Sequence, residues 1–173
     1  SEDQILALWS GLGFYRRARN IFKTKEIIKE EYNNRFPKKF HQLLELPGIG
    51  KSTAGAIMSL AYQNPHPILD GNVKRVITRL VNKNIDLLKE SQLWDLSSQF
   101  VNKENCFAYT QGIMDLGATV CTPTNPSCKD CPVQNQCMSA FNIINNKKRN
   151  VAQLKKVIPM NLSLIQTEDS LLL

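Results

Sequence analysis

"LPGIGKSTAGAI", residues 46–57, sets a proline and two glycines between two stretches whose apolar residues recur at helical spacing. Phe40–Leu46 reads as the helix before the turn and Lys51–Tyr62 as the helix after it. Gly48 and Gly50 let the backbone come close to a partner, and the amides opening the second helix form an anion site. A nucleic-acid phosphate fits such a site without base reading. An ordinary tight turn between packed helices explains the same residues. Either way the stretch predicts helix, hairpin, helix.

Outward from this unit the periodicity stays helical. "DQILALWS" predicts a short helix with Ile5, Leu8 and Trp9 on one face, broken by "GLG" at 11–13. Phe14–Tyr32 repeats Ala18, Ile21, Phe22, Ile28 and Tyr32 on an apolar stripe. Asn72–Val81, Gln92–Val101 and Cys106–Leu116 read as further helices, and no period-two alternation occurs before residue 160. Residues 1–142 are therefore predicted to be an all-α body. Residues 143–158 read as a linker. In 159–173 an apolar run, the polar "TEDS" and a second apolar run predict the first hairpin of a β-rich domain, poorly anchored by itself.

Composition narrows the function classes. With 42% apolar residues in 173, a packed core is available and wholesale disorder is excluded. No apolar run is long enough to span a membrane. The net charge of +7 is uneven: residues 143–158 hold Lys147, Lys148, Arg149, Lys155 and Lys156 with no acid. A basic body with a basic strap suits a polyanion such as nucleic acid, and equally a solvated linker.

Three sets of residues carry candidate chemistry. Cys121, Cys128, Cys131 and Cys137 follow the spacing C-x₆-C-x₂-C-x₅-C, with Pro123, Pro126 and Pro132 stiffening the loops between them. Four thiolates so close in sequence suit an iron–sulfur cluster, a structural zinc or disulfides. Cys106, on an apolar helix, reads as a packing residue. Asp70 in "ILDGNVKRV" stands where an N-cap belongs, and its carboxylate is also a candidate for one half of a catalytic pair. "GFYRRAR" (13–19) sets two aromatics before three arginines, which suits base stacking with phosphate contact, or core aromatics beside a solvated basic face. His41 and His66 read as surface or helix-end residues.

In this order "LWSGLGFYRRARN", "LPGIGKSTAGAI", "ILDGNVKRV" and "MDLGATVC" resemble the helix–hairpin–helix DNA glycosylases, and within them the adenine DNA glycosylases of the MutY type. The resemblance covers residues 1 to about 142, including the cluster loop 121–137; the trailing hairpin resembles the entry to that subfamily's Nudix-like domain. It implies a partial helix–hairpin–helix glycosylase fold whose [4Fe–4S] cluster is held by Cys121, Cys128, Cys131 and Cys137. Asp70 would stabilise an oxocarbenium-like sugar, and Asn72 would help orient the site. Phe14, Tyr15, Arg16, Arg19, Gly48, Gly50, Lys51 and Ser52 would meet DNA. The family usually has Tyr-Tyr where this chain has Phe14 and Tyr15, so stacking is expected to survive and a hydrogen bond from the first ring is not.

The same resemblance separates two chemistries. Bifunctional relatives such as endonuclease III carry a Schiff-base lysine where this chain has Ser52. Lys51 beside it points about 100° away on a helix, so base removal without an intrinsic lyase step is expected. The departing adenine also needs a proton, which the family takes from a glutamate on an early helix. No such segment occurs in residues 1–173, and Glu2, Glu26, Glu30, Glu31 and Glu45 sit in other contexts. The partner of Asp70 is expected to be encoded before Ser1.

The expected partner is double-stranded DNA with adenine opposite 8-oxoguanine or guanine. The protein is expected to act as a monomer with no membrane association, in a bacterial-type cytoplasm at the nucleoid. The rival readings are a bifunctional glycosylase/lyase and a DNA-binding module without chemistry.

Overall fold

The computed structural model describes residues 1–142 and the backbone of two short strands, 165–167 and 170–172. Seven α-helices form the body: α1 (Glu2–Leu8), α2 (Tyr15–Glu31), α3 (Phe40–Glu45), α4 (Lys51–Tyr62), α5 (Gly71–Leu80), α6 (Glu90–Phe100) and α7 (Cys106–Asp115). A π-helical turn, Leu116–Val120, continues α7 into the cysteine loop, which holds two 3₁₀ turns, Cys128–Asp130 and Gln134–Gln136. Strands β1 (Ile165–Thr167) and β2 (Ser170–Leu172) pair antiparallel with Ile165 opposite Leu172, where alternation predicts a hairpin. The basic stretch 143–158 lies outside the described residues.

Local chemistry sets the helix ends. Ser1 and Gln4 form a capping box on α1, and Asn105 caps α7 by accepting from the Ala108 amide at 3.1 Å. Helix α5 has the most regular apolar stripe: Val73, Val76 and Ile77 are fully buried against Leu93 and Leu96 of α6, Ile113 of α7 and the incoming Ile68 and Leu69. Each such aliphatic side chain contributes about 1.5–3 kcal/mol on burial, so α5 is the helix this core is built around. A second core joins α3 and α4 through Leu43, Leu46, Ala54 and Met58, with Ile27, Ile28 and Tyr32 of α2 laid over it. The two cores meet where α4 crosses residues 67–68. A Cβ on Gly55 would stand 2.3 Å from the Pro67 carbonyl oxygen, so only glycine fits there.

Two apolar positions depart from the sequence expectation. Leu8 is 87% exposed and Ile21 is 49% exposed. The reason is local: α1 packs along α2 and buries none of its own residues.

Candidate functional site

The hairpin uses its two glycines differently. Gly48 has φ +81°, and a Cβ there would meet the Asn20 side-chain nitrogen at 2.7 Å. The close approach that glycine permits at 48 is therefore made by α2 of the same chain, which also donates from Thr24 Oγ1 to the Pro47 carbonyl at 3.2 Å. At Gly50 a Cβ would meet nothing within 4 Å, and no side chain caps α4 there. Among the described residues no side chain occupies the opening amides of α4, which is what an anion site needs. Lys51 is exposed, with Nζ 4.1 Å from the centroid of the Trp94 ring, a cation–π contact.

Ser52 turns inward. Its Oγ accepts a hydrogen bond from the Leu69 amide at 2.9 Å, tying α4 to the residue before Asp70. Asp70 is exposed, and its Oδ1 accepts from the Val73 amide at 2.8 Å. It is thus an N-cap whose carboxylate stays open to solvent. Two residues on, Asn72 Oδ1 accepts from Arg75 Nη2 at 2.9 Å. The same guanidinium donates to the Gly117 carbonyl at 2.6 Å and, through Nε, to the Cys121 carbonyl at 2.8 Å. Burial lowers the Arg75 pKa from its ordinary value, and the neighbouring Cys121 and Asp70 oppose that shift. A Cβ on Gly117 would strike Asn72 Cβ at 2.7 Å, so the backbone entering the cysteine loop lies directly on Asn72.

The four loop cysteines line one cavity with Arg79, Val120, Pro126 and Ala140. None is in a disulfide, and among the described residues no three His, Cys, Asp or Glu side chains converge as a site for one metal ion. A lone zinc needs its sulfurs about 2.3 Å from one centre. A four-iron cluster takes one thiolate per iron and spreads its sulfurs around itself. Four thiols lining one cavity are a donor set that suits either centre. Burial pushes the Cys137 thiol up from its ordinary value; the Ser139 backbone opposes this, and the other three loop cysteines add to it. Cys106 is buried apart from them, with Sγ 3.7 Å from the Ser59 carbonyl, as a packing residue should be.

In "GFYRRAR", Phe14 stands at the N-cap of α2 with φ 50° and is 82% exposed. A bulky residue in left-handed backbone is uncommon. Tyr15 is exposed and accepts from the Gly11 amide at 3.4 Å; Arg16 is exposed. Arg19 faces Glu2 at 3.6 Å. Glu26 is held by Lys25 at 2.7 Å, which lowers its pKa. His41 is exposed, while His66 stacks on Phe40 at 4.8 Å between centroids.

The structure thus joins Ser52, Asp70, Asn72 and the cysteine loop through bonded neighbours, while the aromatic pair stands on the separate α2 end. Two residues that carry these links, Arg75 and Arg79, were not singled out from sequence. Their signal was present: Asn72, Arg75 and Arg79 fall at i, i+3 and i+7, in one row along the flank of the apolar stripe of α5.

A hairpin between packed helices stands beside an aspartate-capped helix, α5, whose far end is bonded to the cysteine loop. Residues 1–103 match the family model described as HhH-GPD superfamily base excision DNA repair protein, and the chain belongs to that superfamily. Among its relatives, the adenine DNA glycosylase of Buchnera aphidicola subsp. Schizaphis graminum is 46% identical over 159 residues, which is 90% of this chain and 46% of that protein. The adenine DNA glycosylase of Homo sapiens is 39% identical over 141 residues, 79% of this chain and 26% of that protein. The chain spans about half the length of the bacterial relative. A thermostable thymine-DNA glycosylase structure matches with TM-score 0.74 and 27% identity, over 83% of this chain and 67% of that one. An endonuclease III–DNA complex matches with TM-score 0.69 and 25% identity, over 82% and 66%.

Proposed function

We propose that this chain belongs to an adenine DNA glycosylase that hydrolyses the N-glycosidic bond of adenine paired with 8-oxoguanine or guanine in duplex DNA. The observation that carries the reading is Asp70: an exposed carboxylate, fixed by its own helix and tied from behind through Ser52 to the hairpin. The adenine glycosylase relatives supply the substrate class.

Adenine would be flipped out of the stack at a cost of about a few kcal/mol. Phe14 offers an exposed ring to stack in the duplex, and the amides after Gly50, with Lys51, offer the phosphate contact. Asp70 stabilises the sugar cation as the base leaves. Arg16 and Arg19 add backbone contacts, with Arg19 released from Glu2. Cys121, Cys128, Cys131 and Cys137 would hold a [4Fe–4S] cluster. Bound there, it cross-links the loop that meets Asn72 through Gly117.

We read the enzyme as monofunctional, because the Ser52 hydroxyl accepts from a backbone amide and among the described residues makes no hydrogen bond to a base that would activate it as a nucleophile. We also read it as a monomer of the bacterial-type cytoplasm, acting at the nucleoid; among the described residues no helix is long and apolar enough to cross a membrane.

The test is a single-turnover assay of the full gene product on labelled duplexes carrying adenine opposite 8-oxoguanine, guanine or thymine. Strand breaks appearing only after alkali, with no borohydride-trapped adduct, support the proposal. Breaks without alkali and a trapped adduct make it a glycosylase/lyase. Binding with no base release makes it a binding module.

A further inference from the structure

Both ends of the cysteine loop are fastened to the last turn of α5. Arg79 Nη1 donates to the Thr122 carbonyl at 2.7 Å and reaches Cys121 Sγ at 3.4 Å, while Nη2 donates to the Pro123 carbonyl at 2.9 Å. At the other end, Cys137 Sγ lies 3.6 Å from the Arg79 carbonyl, the Met138 amide donates to the Leu80 carbonyl at 3.0 Å, and Ser139 Oγ bonds Asn82 Oδ1. Among the described residues that line the cavity, Arg79 is the one charged side chain.

Charge explains why a guanidinium stands there. The C-terminal turn of a helix presents carbonyls and the negative end of its dipole. Sulfurs placed against that end are disfavoured as anions, yet they must be thiolates to hold a metal centre. A fixed positive charge within hydrogen-bond reach of Cys121 offsets this, and hydrogen bonds to ligand sulfur and local net charge are among the levers that set a cluster's potential.

We propose that Arg79 is a ligand-binding residue of the cluster site: its guanidinium donates an N–H to the cluster-bound Cys121 sulfur and supplies the counter-charge that sets the cluster's reduction potential. Arg75 stands beside the same cysteine but donates to its carbonyl, whereas Arg79 is the residue that reaches its sulfur. The inference rests on the cluster proposed above.

The test uses the chain purified without oxygen and analysed for iron and sulfide, with its potential read by an electrode that supplies and removes the electron. Three variants are compared with the parent. Arg79→Gln removes charge and fork, Arg79→Lys keeps the charge alone, and Lys74→Gln removes a charge from α5 that pairs instead with Glu90 at 3.7 Å.

We expect a negative shift in Arg79→Gln and faster loss of cluster absorbance in air. Most of the shift should be restored in Arg79→Lys, with none in Lys74→Gln. If Arg79→Gln does not load, Arg79→Lys decides: a potential near the parent's supports the role, and a large negative shift overturns it. A loaded parent whose potential is unmoved in Arg79→Gln, or moved equally in Lys74→Gln, also overturns it. A parent with neither iron nor sulfide overturns the cluster reading itself, a result distinct from these.

Discussion

The two ends of helix α5 are held in opposite ways. At its N-terminus Asp70 is exposed and makes one bond to its own helix, while the supports act from behind, through Ser52 on the Leu69 amide and Arg75 on Asn72. At its C-terminus Arg79 and the last carbonyls bind the cysteine loop directly, and both loop ends are fastened. The contrast shows where each kind of rigidity is useful. A carboxylate that must meet a substrate is fixed through its neighbours, whereas a loop that only has to stay closed is gripped by its own groups.

The sharpest way to test the open end is Asp70→Asn in the full gene product. Asparagine caps a helix as well as aspartate does, so thermal stability should hardly change. Removing one charge that stabilises the transition state costs about 10²–10³ in rate, and single-turnover kinetics beside a thermal melt would separate the two effects. Unchanged turnover refutes the role of Asp70; a large fall in melting temperature would mean that the open end is structural after all.

Next comes Gly55→Ala, which attacks the support behind Asp70. The new Cβ has to displace the Pro67 carbonyl, three residues before Asp70, and overpacking of this kind costs about 1–3 kcal/mol. Urea unfolding should place the loss near the top of that range. A loss under about 0.5 kcal/mol would show that α4 does not fix the approach to Asp70.

Arg75 links the two ends, so Arg75→Gln should loosen both. Charged hydrogen bonds contribute about 1.5–3 kcal/mol each in favourable cases, and the variant keeps part of the network. We expect a loss of about 2 kcal/mol, with faster amide exchange in residues 117–122 and at Val73. Faster exchange in the loop alone would mean that the ends are independent. Arg75→Lys should not rescue it, because an ammonium cannot reproduce the fork that serves Asn72, Gly117 and Cys121 together.

These links also mark what sequence could and could not disclose. The stripe of α5, the Asp70 cap, the hairpin and the cysteine spacing are written in residues a few positions apart, and all are legible in the chain. The loop partners of Arg75 and Arg79 lie 42 to 46 residues further on, so two half-buried ties resemble the solvated basic face that a helix normally shows. Ser52 is similar: its slot suggests what it does not do, but its bond to Leu69 spans 17 residues. Gly48 invites a ligand-based reading, and the position of Asn20 supplies a reason within the chain for the same glycine.

The smallest effect concerns packing at the closed end. Tyr109 lines an apolar groove with Val76 and Leu80 of α5, Ile113 of α7 and Pro132 and Val133 of the loop. Its hydroxyl oxygen is buried with no hydrogen-bond partner among the described residues, and burial pushes its pKa up to about 12. A folded-state value above the ordinary 10 gives a contribution fully present below pH 10 and lost as pH rises through 12. Tyr109→Phe removes an unpaired hydroxyl while keeping the ring. Stability at pH 7 should therefore stay level or rise by up to about 1 kcal/mol, and the variant's stability should fall less than the parent's between pH 10 and 12. Denaturant titrations of both proteins across that range would check it. A variant less stable than the parent at pH 7 would show that the hydroxyl has a partner, and that the loop end is held by more than Arg79 and the carbonyls of α5.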